Sequence, residues 1–176
     1  MRRARYRLGQ FVSHLRPRPL RPDEQAEVEQ VLGAPLAGLF GRMSAGEQAH
    51  SLRVLRALAA RGGPYAQRTE LRQAALLHDV GKSVAPLSLA DRALIVLARW
   101  LAPGAAAGWG VGQAKGWRRP FVTARRHADW GADLCAQAGA PPLTVALVRR
   151  HQTPLTTPAT PEDEMLALLQ AADDGN

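Results

Sequence analysis

Two metal-ligand side chains, His78 and Asp79, stand side by side at the end of the apolar run at positions 74–77. A carboxylate that enters an apolar interior loses its hydration and needs a partner that neutralises its charge. A divalent cation is such a partner, since imidazole nitrogens and carboxylate oxygens bind it at about 2.0–2.2 Å. The pattern therefore predicts a fold built around a metal site, with this pair at the inner end of a buried segment.

Further candidate ligands lie on both sides of this pair, each in a separate segment of the chain. In chain order the series is His50, His78, Asp79, His127, His151 and Asp173. Of the five histidines, only His14 lies outside it. Asp174 is an alternative to Asp173, because the two carboxylates are adjacent. The ordered series, rather than the dipeptide alone, indicates a metal centre.

The series and its local contexts resemble the HD-domain superfamily of metal-dependent phosphohydrolases. The matching stretches are His50-Ser51-Leu52, Ala74-Ala75-Leu76-Leu77-His78-Asp79-Val80-Gly81-Lys82, His127-Ala128-Asp129-Trp130-Gly131-Ala132, Arg150-His151-Gln152 and Ala172-Asp173. The resemblance implies an all-α fold, a single HD-type helical bundle whose ligands converge on a central pocket. The resemblance spans about 44–174, the core of an HD-type domain at 23–176, while the arginine and proline content of residues 1–22 predicts a basic N-terminal arm.

The same resemblance implies two divalent transition metal ions. His50, His78, Asp79 and Asp173 would hold one ion, and His127 and His151 the second, with Asp79 bridging the two. Such a pair, about 3.5–4 Å apart, acidifies water and neutralises charge on a phosphoryl group. Fe or Mn is favoured, and Zn or Co also suits mixed imidazole and carboxylate ligation. Asp79 and Lys82 are the candidate catalytic residues.

The implied activity is hydrolysis of a phosphate ester or anhydride of a nucleotide or another small phosphorylated metabolite. The candidates for holding the substrate phosphate are Lys82, Arg53, Arg126 and Arg150. Lys82 is equally well explained as a charge at a helix C-terminus. The alternative function is a metal-binding regulatory module with little hydrolysis, which would act through protein, nucleic-acid or membrane-surface contacts.

Two departures from the family pattern limit the range of expected substrates. Many nucleotide-acting members carry arginine three residues before the first histidine, where this chain has Glu47. The residues Gln152-Thr153-Pro154 follow His151, so the chain lacks the additional elements of the cyclic-di-GMP phosphodiesterases. Cyclic-di-GMP is therefore not assigned as the substrate.

Capping residues and prolines predict helices along the whole chain, and no strand pattern competes with them. The predicted helices lie at 23–33, 35–43, 44–62, 69–81, 88–103 and 120–137, followed by one that opens at 141 or 142 and one that opens at 161. Asp23 and Thr69 are two of the predicted caps. The helix at 69–81 would carry His78 and Asp79 in its last turn.

Composition constrains the partners and the compartment. The formal net charge is +8 and comes almost entirely from arginine, which binds phosphate in a bidentate manner. A phosphorylated small molecule is therefore the predicted ligand, and nucleic acid is a weaker alternative. One cysteine, Cys135, excludes an intramolecular disulfide and predicts a small buried side chain. Without a long apolar span or a signal-peptide pattern behind the N-terminal arginines, the expected location is cytoplasmic.

Residues 86–121, called here the outer segment, depart from the compact family pattern. An apolar helix is followed by a glycine- and alanine-rich stretch, predicted to be a loop, that contains Trp109, Trp117, Arg118 and Arg119. Three interpretations remain open from the sequence: core packing with a loose loop, a lid over the metal pocket, or a surface that touches a bilayer through tryptophan and arginine.

Overall fold

A computed structural model describes residues 18–175, and this part of the chain is entirely helical. Eight α-helices follow one another: α1 Pro22–Phe40, α2 Ala45–Arg61, α3 Thr69–Leu77, α4 Leu89–Leu101, α5 Pro103–Trp109, α6 Arg119–Gln137, α7 Pro142–Arg150 and α8 Pro161–Asp174. Short 3-10 helices lie at Val80–Val84 and Gly116–Arg118. The predicted all-α fold class is confirmed. None of the described helices is long and apolar enough to cross a bilayer.

The helix starts follow local capping chemistry. The hydroxyls of Ser44 and Ser88 accept hydrogen bonds from the backbone N–H groups three residues on, and Glu47 and Asp91 complete the two capping boxes. Proline occupies the first position of α7 and α8, where a missing N–H costs nothing.

Two predicted caps are wrong. Helix α1 is capped from Arg21, whose backbone N–H donates to the Glu24 carboxylate at 2.9 Å, and not from Asp23. Arg68 is the N-cap of α3 and makes no side-chain cap hydrogen bond. Thr69, the predicted cap, is the first residue of the helix. The break between the helices predicted at 23–33 and 35–43 is confirmed, because α1 consists of two helical segments separated at Gly33, whose backbone is not helical (φ 69°, ψ 167°).

The main core lies between α1, α2, α3, α6, α7 and α8. Its fully buried residues are mostly leucines, among them Leu58, Leu71, Leu76, Leu147 and Leu166. Cys135 is also fully buried there, as predicted, and burial raises the pKa of its thiol to about 12. Leu20, at the end of the predicted arm, packs into the same core. Residues 1–17 of that arm, with His14, lie outside the described residues.

The outer segment builds a second, smaller cluster on the side of α6. Ile95 and Ala98 of α4 pack there against Ala106 of α5 and Phe121 of α6. The prediction of a loop in this part of the outer segment is therefore partly wrong, because residues 103–109 form helix α5. Trp109 closes this cluster edge-to-face on Phe121, with ring centroids 5.1 Å apart.

The chain reverses at the end of α3, directly at the paired ligands. Helix α3 ends at Leu77, so His78 is its C-cap and Asp79 precedes the 3-10 helix. Placing both residues in the last helical turn was therefore wrong by one turn. Gly81 allows the 3-10 helix to touch α6, since a Cβ atom there would lie 1.9 Å from the backbone oxygen of His127.

We expect Gly81→Ala to destabilise the fold by at least about 3 kcal/mol, because the clash is with backbone that cannot rotate away. Gly38→Ala is the matched control: Gly38 lies in α1 and a Cβ atom there meets nothing within 4 Å. The control should stabilise the protein by about 0.5–1 kcal/mol, through the loss of glycine's extra backbone freedom. Urea denaturation followed by circular dichroism measures both changes, and equal stabilities would contradict this account of the contact.

Candidate metal centre

Five helical segments deliver the six side chains of the predicted ligand series to one place. His50 lies in α2, His127 in α6 and Asp173 in the last turn of α8. His78 and His151 are the C-caps of α3 and α7. The four imidazoles form a continuous row, with ring centroids 5.4 Å apart for His50 and His78, 5.3 Å for His78 and His151, and 5.2 Å for His127 and His151.

The first group consists of His50, His78 and Asp173, whose candidate ligand atoms all lie within 4.8 Å of one another. His50 Nε2 donates a hydrogen bond to Asp173 Oδ1 at 2.9 Å, and His78 Nε2 lies 3.7 Å from the same oxygen. A cation in this group would take the place of that hydrogen bond, with the His50 ring binding through Nε2 and carrying its proton on Nδ1. Asp174 is exposed, so it is Asp173 that the structure places against His50.

The second group consists of Asp79, His127 and His151, whose candidate ligand atoms lie within the same limit. All three residues are buried. Asp79 Oδ1 lies 3.4 Å from His127 Nε2, while Asp79 Oδ2 lies 3.6 Å from His78 Nε2 in the first group. One carboxylate thus presents one oxygen to each group, which is the arrangement that a bridging ligand requires.

Backbone hydrogen bonds fix the orientation of three imidazoles. Nδ1 of His78, His127 and His151 faces a carbonyl oxygen, at 3.0 Å from Ala75, 3.1 Å from Thr123 and 2.7 Å from Val148. A carbonyl only accepts, so each Nδ1 carries the proton and each neutral ring keeps a lone pair on Nε2. Nε2 of His78 and of His127 are buried without a hydrogen-bond partner. These orphaned atoms fit a metal ion, because ligating histidines are held by such contacts through their other nitrogen.

The protonation states also suit metal ligation. Burial lowers the pKa of His78, and it lowers the pKa of His151 to about 3, so both rings are neutral at pH 7. Burial acts to raise the pKa of Asp79, but the Lys82 ammonium and the adjacent imidazoles hold it well below its usual range. Burial opposes ionisation of Asp173 as well, and the hydrogen bond from His50 outweighs it and lowers that pKa. Neutral imidazoles and ionised carboxylates are the forms that bind cations.

Lys82 contacts the centre directly. Its Nζ lies 2.6 Å from Asp79 Oδ2, and its side chain is 17% exposed. The ammonium therefore neutralises the buried carboxylate, on the oxygen that faces the first group. Lys82 lies in the last turn of the 3-10 helix, at the edge of the centre, and phosphate binding by it stays a prediction.

The predicted phosphate-binding arginines differ in their surroundings. Arg150 is held by Glu162 and Asp163, each at 2.6 Å, so its charge is already balanced. Arg126 is exposed and lies over the Trp130 ring, 5.4 Å from its centroid. Arg53 is half-buried in α2, one turn beyond His50. Phosphate binding by any of the three stays a prediction.

An open cleft of about 450 Å³ lies beside the ligands, with a lining that includes His151, Gln170, Asp173 and Arg99. Arg99 comes from α4, is exposed, and has no ion pair with any residue from 18 to 175. Sequence reasoning missed it, because only the packing of the outer segment brings α4 to this cleft. The available signal was that Arg99 interrupts the apolar run at positions 93–101.

Comparison with known families gives one result. The family model described as HD domain matches residues 48–174, which include all six side chains of the ligand series. No curated protein and no solved structure matches the chain.

We expect the purified protein to bind about two divalent ions per chain, one for each group. His50→Ala should remove the first ion and His127→Ala the second, whereas Asp79→Ala should reduce both, because its carboxylate faces both groups. Inductively coupled plasma mass spectrometry of metal-loaded, desalted protein measures the stoichiometry, and circular dichroism confirms that each variant is folded. His14→Ala removes the histidine outside the series and is the control. A saturated parent protein with one ion per chain would exclude the two-ion centre.

Proposed function

Because the chain belongs to the HD domain family, we propose that it is a metal-dependent phosphohydrolase that cleaves a phosphate ester or anhydride of a small phosphorylated metabolite. The observation that carries this proposal is the pair of three-residue groups joined by Asp79. Two buried Nε2 atoms without partners lie in these groups, and a structural core would satisfy them with hydrogen bonds.

The protein's own part in such a reaction is to hold ligands and to position charge. Divalent cations, when bound, would acidify a water molecule and neutralise charge on the phosphoryl oxygens. Asp79 is ionised and fixed between the two groups, so it can accept a hydrogen bond from the attacking water and orient it. The hydrogen bonds from the imidazoles to backbone carbonyls hold the rings in one position throughout the reaction.

Lys82 and Arg99 are the cations best placed to hold the substrate phosphate. Lys82 lies at the carboxylate, and Arg99 lies at the cleft beside the ligands. If Asp79 served as a metal ligand, the Lys82 ammonium, which now lies 2.6 Å from Asp79 Oδ2, would be available to contact a phosphate oxygen. Arg99 offers a planar guanidinium that can bind two phosphate oxygens at once.

We expect the metal-loaded protein to hydrolyse a member of a panel of aryl phosphates, aryl phosphodiesters and nucleotides in the presence of Mn or Fe. Asp79→Asn keeps the shape but removes the charge, so kcat should fall at least about a thousandfold, equivalent to about 4 kcal/mol. Asp129→Asn is the control, since Asp129 is exposed on α6 two residues beyond His127. A metal-loaded parent with no turnover on the whole panel would favour a regulatory metal-binding module instead.

We expect Arg99→Gln to raise KM about tenfold and to leave metal content unchanged, because it removes a charge-assisted contact to phosphate without touching a ligand. Lys82→Ala should also keep the metal while lowering kcat/KM. Arg68→Gln, at the exposed start of α3, is the matched control for the loss of one positive charge. Steady-state kinetics on the best panel substrate measures both KM values. An unchanged KM in Arg99→Gln would exclude Arg99 as a phosphate-binding residue.

A further inference from the structure

The large apolar side chains that are exposed among residues 18–175 are concentrated in one region. Eight of the nine lie in the outer segment and the ninth, Val84, lies just before it: Val84, Leu89, Leu94, Val96, Leu97, Trp100, Leu101, Val111 and Trp117. Scattered single residues of this kind are normal on a surface, whereas a contiguous apolar patch marks a contact with a partner or a membrane.

Helix α4 supplies the centre of this patch. Ile95 and Ala98 face inward and are buried in the small cluster, which fixes the rotation of the helix. The opposite side carries Val96, Leu97 and Trp100, which are 63%, 51% and 78% exposed. Because the helix places these residues on one side at helical spacing, they form a continuous apolar face. We call this exposed side of α4, with Val96, Leu97 and Trp100, the apolar face.

Positive charge surrounds the apolar face. The outer segment contains five basic residues, Arg92, Arg99, Lys115, Arg118 and Arg119, and one acidic residue, Asp91. Asp91 is occupied by Arg119 and by its capping box with Ser88. Arg118 lies over the exposed Trp117 ring, 5.2 Å from its centroid. Arg92 is paired with Glu47 at 2.7 Å, so Arg99, Lys115 and Arg118 are the cations of the outer segment that have no ion pair with a residue from 18 to 175. The outer segment thus combines an exposed apolar helix side with unbalanced positive charge, and Trp100 is its most exposed large apolar side chain.

The charge near the apolar face favours an anionic bilayer over a second copy of the chain as its partner. A second copy of the chain would bring arginines against arginines across the contact, with one already paired carboxylate per copy to offset them. An anionic bilayer supplies both halves of the match, since acyl chains receive the apolar side chains and phosphate headgroups receive the arginines. Tryptophan is also the residue that sits at the headgroup level, with its ring in the apolar layer and its N–H towards water.

We propose that the apolar face docks reversibly onto an anionic membrane surface. Arg99 lies on the same helix, between the buried side and the exposed side, and it also lines the cleft beside the ligand groups. Docking therefore places the cleft next to the headgroup layer and orients the metal centre relative to the bilayer. The docking does not depend on the proposed hydrolysis, so an experiment that contradicts one of the two proposals does not contradict the other.

The test uses the full chain and vesicles of equimolar phosphatidylcholine and phosphatidylglycerol, with pure phosphatidylcholine vesicles as the neutral comparison. Flotation should show binding to the anionic vesicles at about 0.05 M salt and weaker binding at about 0.5 M, where screening is stronger. Tryptophan fluorescence should shift to shorter wavelength on binding, because Trp100 and Trp117 leave water. No binding to anionic vesicles at low salt would overturn the proposal.

The double variant Leu97→Ser/Trp100→Ser separates the apolar face from the arginines near the N-terminus, which could bind anionic vesicles by charge alone. Both side chains are exposed, so the fold should be kept, and circular dichroism checks this. We expect its vesicle partition coefficient to fall at least about tenfold. Arg118→Gln should weaken binding more than Arg68→Gln, which removes the same charge at the start of α3, outside the outer segment.

Two results with these variants would reject membrane docking by the apolar face. Binding of the double variant equal to that of the parent would assign the interaction to the other arginines. A parent that fails to bind vesicles but forms a dimer in sedimentation velocity, with the dimer lost in the double variant, would assign the face to a contact between two copies of the chain.

Discussion

The ionised carboxylate of Asp79, buried among imidazoles, is the constraint on which the rest of the structure depends. A buried negative charge needs compensation, and Lys82, three residues further on, provides it at 2.6 Å. The burial that makes this compensation necessary comes from distant segments, since His127 of α6 lies 3.4 Å from Asp79 Oδ1. The site and the helical core are therefore two aspects of one packing arrangement.

Close backbone contact makes this arrangement possible. Gly81 lets the 3-10 helix that begins after Asp79 touch α6 at His127, which brings the two halves of the second ligand group together. Each buried imidazole is then held through Nδ1 by a carbonyl of its own helix, so its Nε2 points into the centre. The leucine-rich core around them supplies the rigidity that such a site requires, since a ligand displaced by even 1 Å binds less well.

The outer segment adds a second structural unit to this core. It packs on α6 through a small cluster of its own and leaves the opposite side of α4 apolar and exposed. The same helix brings Arg99 to the cleft beside the ligands. The proposed phosphate site and the proposed docking surface thus share one element, which would couple the access of a substrate to the position of the protein at a membrane.

The sequence by itself determined the helices, the helical class and the ligand series, because capping boxes, prolines and the order of His and Asp residues are local patterns. It identified the capping boxes at Ser44 and Ser88 correctly, but it misplaced the end of α3, where close contact with α6 ends the helix before Asp79. Only the tertiary structure decided between Asp173 and Asp174, paired Arg150 with two carboxylates and brought Arg99 to the cleft. The physical reason is that burial, pairing and the direction of a side chain depend on neighbours that are distant in sequence, and packing alone selects them.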